Sequence, residues 1–191
     1  MPLLVRRRRW RRSRVITPGT LTDDGLLDAR AANYLAAVVF DGAEAALAHA
    51  DVSTGAVAVR ALQAAGLVDA LAALAPAEIL VIDRDHERLP QQSAPVSPRP
   101  AVKADARAAE RRIAELYQVA SAAAFGDFSG LELSALGVLL DYVVLTQAGG
   151  APQLEPPRRQ ESLAEMAIDP ATRASLEIER AQRGGREGSL L

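Results

Sequence analysis

Five carboxylates stand near the ends of apolar runs: Asp41, Asp51, Asp83, Asp85 and Glu87. Carboxylates that converge can hold divalent ions for phosphodiester hydrolysis, so these are the first residues to weigh for chemistry. Each also sits where turns and strand termini ordinarily put an acid, because a short carboxylate caps the backbone of its own turn. Turn chemistry is therefore the expected role, with a metal-dependent nuclease as the sharper alternative. His49 and His86 have no partner at metal-ligand spacing, and the absence of cysteine excludes disulfides and thiolate sites. No Gly-rich loop ending in Lys-Ser or Lys-Thr occurs, so the phosphate cradle of a P-loop is missing. Gly184-Gly185-x-x-Gly188 is Gly-rich, but it follows a helical stretch, whereas nucleotide loops follow strands and open helices. Ser53-Thr54-Gly55 reads as a hairpin turn rather than a catalytic hydroxyl site. The expectation is no catalytic, cofactor-binding or metal residue.

Charge gives the one other candidate site. The chain of 191 residues carries a formal charge of -2, yet its first 14 residues hold seven of the 22 basic residues and no acid. The remainder therefore stands at -9, a poor generic partner for phosphate backbones. Arg6, Arg7, Arg8, Arg9, Arg11, Arg12 and Arg14, with Trp10 among them, could contact nucleic acid without sequence preference, by charge and stacking. A solvated, disordered arm over residues 1–14 is the plainer reading. The segment lacks the apolar stretch of a secretory signal, and no apolar run approaches the roughly 20 residues of a membrane span, which points to a cytoplasmic protein.

The elements that must position these residues follow from pattern. Thr17-Pro18-Gly19-Thr20 is a turn, and Asp23 or Asp24 can cap a short helix through Leu26, Leu27 and Ala31. Tyr34 to Phe40 reads as a strand closed by the Asp41-Gly42 hairpin signal. Ala45 to Val52 and then Val57-x-Val59 complete an antiparallel meander, natural at the edge of a sheet. Leu67, Val68, Leu71 and Leu74 recur at helical spacing up to Pro76, and Ile79 to Ile82 is a buried parallel strand. Pro90, Pro95, Pro98 and Pro100 make residues 90–100 a loop or a poor edge strand. Ile113, Leu116, Tyr117 and Ala120 form one face of a helix, with Arg107, Arg111 and Gln118 mostly opposite. Ser129-x-x-Glu132 has capping-box spacing before Leu133 to Leu145, which is apolar on nearly all sides and expected to lie buried. Pro152, Pro156 and Pro157 mark a linker, and Asp169-Pro170 opens a last helix. The order β-β-β-α-β-α-α predicts an α/β layered domain with a mixed sheet and flanking helices, in the manner of the ribonuclease H-like fold, followed by a short helical tail.

Several motifs carry a family resemblance. Val15-Ile16-Thr17-Pro18-Gly19-Thr20-Leu21, Leu26-Leu27-Asp28-Ala29-Arg30 and Asn33-Tyr34-Leu35-Ala36-Ala37 resemble the stretch of MutS proteins that leaves the mismatch-binding domain and enters the connector. Asp51-Val52-Ser53-Thr54-Gly55 is similar to the family's second connector strand and its turn, and Pro76-Ala77-Glu78-Ile79-Leu80 to its motif before the buried strand. Phe125-Gly126-Asp127-Phe128, Leu139-Leu140-Asp141-Tyr142 and Thr146-Gln147 resemble the closing connector helices. Ile168-Asp169-Pro170-Ala171-Thr172-Arg173, Leu176-Glu177 and Gly188-Ser189-Leu190-Leu191 resemble the start of the core domain.

The resemblance implies a ribonuclease H-like connector (domain II) over residues 15–150, a linker over 151–168 and the beginning of the core (lever) domain over 169–191. It implies a fragment of a DNA mismatch repair protein that couples mismatch recognition to an ATPase core and contributes surface to MutL recruitment. The full-length family binds mismatched DNA, ATP and Mg and works as a homodimer; this chain is expected to be no enzyme and to hold no cofactor. The alternative is a stand-alone nucleic-acid-binding protein that uses its Arg-rich arm. Three departures accompany the match. Residues 1–12 do not resemble what precedes the Thr-Pro-Gly-Thr motif; His49 stands where the family prefers a bulky apolar residue; and residues 88–103 lack the usual aromatics. The last two predict a somewhat loosened domain.

Overall fold

The computed structural model describes residues 33–146 and 154–160. Tyr34–Asp41 (β1), Glu44–Asp51 (β2) and Val57–Gln63 (β3) form the antiparallel meander that the three runs and their short turns predict. Gly42 supplies the left-handed φ, +54°, that a two-residue hairpin turn needs at its first central position. Leu67–Leu74 (α1) then crosses to Glu78–Ile82 (β4), which pairs in parallel with β1. Val96–Arg99 (β5) adds in parallel outside β4, so the Pro-rich stretch does form a short edge strand. Ala106–Tyr117 (α2) and Gly130–Thr146 (α3) close the domain.

One element has no counterpart in the sequence pattern. Arg158–Arg159 (β6) pairs in parallel with Ala58 and Val59 of β3, within the stretch read as a linker. The sheet order is β5-β4-β1-β2-β3-β6, mixed and six-stranded, and the meander reaches the edge except for that two-residue cover.

Strand alternation sorts the core into two faces. Leu35, Ala37 and Val39 of β1 face α2 and α3 with Ile113, Leu136, Leu139 and Leu140. Ala36, Val38 and Phe40 face α1 with Leu67, Ala70 and Leu71. β4 is buried on both faces, as its unbroken apolar run requires. The scarcity of aromatics is met by close approach. A Cβ placed on Gly137 of α3 would stand 2.5 Å from the Cβ of Ala109 on α2, so only glycine lets these helices meet as they do.

Three details of the helical reading are corrected. Val68 is half exposed, because the buried stripe of α1 runs through Leu67, Ala70 and Leu71. α2 stops at Tyr117, capped by Gln118 at φ +55°, so Ala120 lies beyond it and is exposed. Val144 and Leu145, near the end of α3, are about half exposed rather than buried. The capping box forms as spaced: Ser129 N–H donates to Glu132 Oε2 at 2.7 Å, and Glu132 N–H to Ser129 Oγ at 3.2 Å. Among the described residues no helix is long and apolar enough to cross a membrane. The helix placed after Asp23 or Asp24 and the tail from Asp169 lie outside the described residues.

Candidate functional site

The five carboxylates do not meet. Asp41, Asp83 and Glu87 are exposed, and among the described residues no three His, Asp or Glu side chains converge to hold a metal. Asp85 is buried beside Arg88 at 3.2 Å, and Arg88 in turn donates to the Gly42 carbonyl at 2.6 Å and lies over the Phe40 ring. That ties the segment after β4 to the β1–β2 hairpin. His86 is exposed.

Asp51 serves its own turn. Its carboxylate accepts from Ser53 N–H at 2.9 Å and from the Ser53 hydroxyl. Burial pushes its carboxyl up, but hydrogen bonds from Ser53 and Thr54 outweigh that and hold it below the usual carboxylate range. Backbone bonds complete the turn: Gly55 N–H to the Asp51 carbonyl at 2.7 Å, and Asp51 N–H to the Ala56 carbonyl at 2.9 Å.

This turn holds the chain at both of its ends. On the incoming side, Val52 N–H donates to the Asn33 carbonyl at 3.3 Å, just before β1. On the outgoing side, Glu155 N–H donates to the Gly55 carbonyl at 2.7 Å. Residues 154–160 are then fastened further. Gln160 N–H donates to the Val59 carbonyl at 2.8 Å, Leu154 packs on the core and Pro157 is buried. The Tyr117 hydroxyl donates to the Glu155 carbonyl at 2.8 Å; burial pushes its pKa up to about 12, so it remains a donor.

The strongest fastening is ionic. Arg159 reaches the N-terminus of α3, where Nε and one terminal nitrogen contact the two oxygens of Glu132 at 2.9 and 2.5 Å. Glu132 is buried, which pushes its carboxyl up; Arg159 and Ser129 more than reverse this and hold it below its ordinary value. Glu132 thus caps α3 and anchors the outgoing strand at once. The capping role is visible in Ser129-x-x-Glu132; the anchor 27 residues away is not.

A second polar cluster locks the opposite edge. Buried Glu78 accepts from the Tyr142 hydroxyl and the Ser97 hydroxyl, both at 2.6 Å. Arg99 lies over the Tyr142 ring, 4.8 Å from its centre. Asp141 sits among Arg99, Lys103 and Arg112 at 3.6, 3.0 and 3.4 Å. These bonds join β4, β5, α2 and α3 across residues 88–103, in place of the aromatic packing that the sequence lacks there.

Residues 33–155 match the family model described as MutS domain II. The chain belongs to the MutS family. It is 48% identical over 184 residues to the DNA mismatch repair protein MutS of Caulobacter vibrioides, covering 93% of this chain and 20% of that protein. The MutS of Cereibacter sphaeroides is 46% identical over 179 residues and that of Ruegeria pomeroyi 44% over 188, again across 93% of this chain. The chain therefore spans about a fifth of the length of the curated MutS relatives it matches. The mixed sheet with helices on both faces is the α/β fold that the MutS resemblance predicts. The seven arginines of residues 6–14 lie outside the described residues.

Proposed function

We propose that this stretch acts as a MutS connector: a stiff joint that passes displacement between the segments on its two sides, and so couples mismatch recognition to ATP turnover in a whole MutS protein. The observation that supports this is the shared turn. Asn33, just before β1, and Glu155, just before β6, are bonded to the same six-residue turn, 51–56, whose own carboxylate keeps it shut. A load on one segment is then felt at the other through the three peptide bonds between Val52 and Gly55 rather than through the whole core. Under this reading the chain performs no catalysis itself. Mismatched DNA, ATP with Mg, the homodimer contact and much of the engagement with MutL belong to the whole protein, to whose MutL-facing surface this domain contributes, in the cytoplasm.

A chimera tests it. Residues 33–160 replace the aligned stretch of Caulobacter vibrioides MutS, and mutation rate is measured in cells lacking their own MutS. The expected result is restored repair with the native turn, and loss of mismatch-stimulated ATP turnover, with mismatch binding kept, when Asp51→Ala and Arg159→Met are introduced. Undiminished stimulation in that double variant would overturn the joint reading.

A further inference from the structure

A cleft of about 250 Å³ opens on the α1 face of the sheet, near the C-terminal end of α1. Leu47, Leu74 and the Tyr34 ring supply apolar wall; His49, Arg60 and Gln160 supply polar groups. Leu47 and Arg60 are cross-strand partners, and His49 follows two residues along the same face of β2. His49 is half-buried with its ring edge-on to Tyr34, and its Nδ1 is buried without a hydrogen-bond partner. The Arg60 side chain makes no ion pair or hydrogen bond among the described residues. The nearest acid on this strand face, Asp51, is already bonded to Ser53. Two groups that can carry positive charge thus line one cleft in a body of net charge -9 beyond its first 14 residues, and among the described residues no carboxylate lines it with them.

We propose that this cleft binds an acidic side chain of a partner peptide, with the carboxylate on Arg60 and His49 and a neighbouring apolar residue against Leu47 and Leu74. Charge complementarity selects the anion, because a guanidinium offers a paired donor edge to a carboxylate. A carboxylate beside the ring also favours the protonated form of His49. Burial and the neighbouring Arg60 hold the His49 pKa below its ordinary value, so an arriving carboxylate shifts it upward. Duplex DNA is the poorer occupant. Its phosphates are spread along a wide rod that a body of net charge -9 beyond residue 14 repels, whereas one side chain fits the cleft. The inference does not depend on the connector reading.

The probe is a capped Leu-Glu dipeptide amide, with the capped Leu-Gln amide as its neutral isostere, titrated into the full chain by residue-resolved NMR. The Glu peptide is expected to perturb Tyr34, Leu47, His49 and Arg60, to bind about tenfold tighter than the Gln peptide, and to raise the His49 pKa; Arg60→Gln should abolish the difference. Equal binding of the two peptides, perturbation elsewhere, or an unmoved His49 pKa would each overturn the proposal. So would the same amides responding to duplex DNA and not to the Glu peptide. The His49 titration uses the unaltered chain, so it decides the matter even if Arg60→Gln fails to fold.

Discussion

Replacing Arg159 by Met removes the charge that faces Glu132 while keeping most of the aliphatic stem. Breaking a fully buried ion pair costs about 3–5 kcal/mol, and an exposed one about 0–1 kcal/mol. This pair lies between: the Glu132 side chain is 1% exposed and that of Arg159 43%. Glu132 also keeps its bond from Ser129 N–H, so its charge is not left wholly unserved. The expected loss is therefore about 1.5–3 kcal/mol, read as a lower urea midpoint at neutral pH. Adding Glu132→Gln should recover roughly half of it, because a neutral amide tolerates the missing cation. Amide exchange at Gln160, whose N–H bonds to Val59, should quicken alongside. A change under about 0.3 kcal/mol, or strictly additive single variants, would refute the claim that Arg159 anchors the outgoing strand through Glu132.

Gly137→Ala should destabilise by about 1–3 kcal/mol through the 2.5 Å clash with Ala109, although Ala is otherwise the better helix former; Ala109→Gly in the same chain should restore part of the loss in urea unfolding. Stability should fall with acid in two stages. His49 has a folded pKa below the ordinary 6.5, so the unfolded chain takes that proton first and stability declines as pH drops from about 6.5 toward the folded value; His49→Leu should erase this stage in urea midpoints measured from pH 8 to 3. Asp51 and Glu132 have depressed folded values, so their contribution is complete above about pH 4–4.5 and is lost as pH falls through the folded values. Any binding of the chain to duplex DNA should vanish on deletion of residues 1–14 and, with seven arginines engaged, show a log–log salt slope no steeper than about -6; salt-resistant binding by the deleted chain would place a DNA site on the acidic body.

The parts of the fold that local chemistry decides were legible. Apolar runs ended by turn signals located β1 and β2, alternation located β3, an unbroken β-branched run located β4, and Ser129-x-x-Glu132 located the start of α3. The fate of Asp51 followed from turn chemistry alone. What escaped is set by distance in the chain. β6 is two arginines after two prolines, with no period to read, and it exists because Val59, Gly55 and Glu132 offer partners about 30 to 100 residues away. Nothing local marks Glu78 as a buried acid, and only packing shows that Tyr142 and Ser97 make its burial tolerable. The cleft at His49 was legible only as an ill-fitting residue, because the alignment of His49 with Arg60 depends on cross-strand register.

One turn is bonded to both the incoming and the outgoing segment. Residue-resolved hydrogen exchange on the chain with Asp51→Ala, compared with the unaltered chain, tests it most directly. Loss of the carboxylate that closes the turn should lower protection at Val52, which reports the bond to Asn33, and at Glu155, which reports the bond to Gly55, by about the same factor, while Ile79 to Ile82 stay protected. A fall at Val52 with Glu155 unchanged would show two independent attachments and no shared turn.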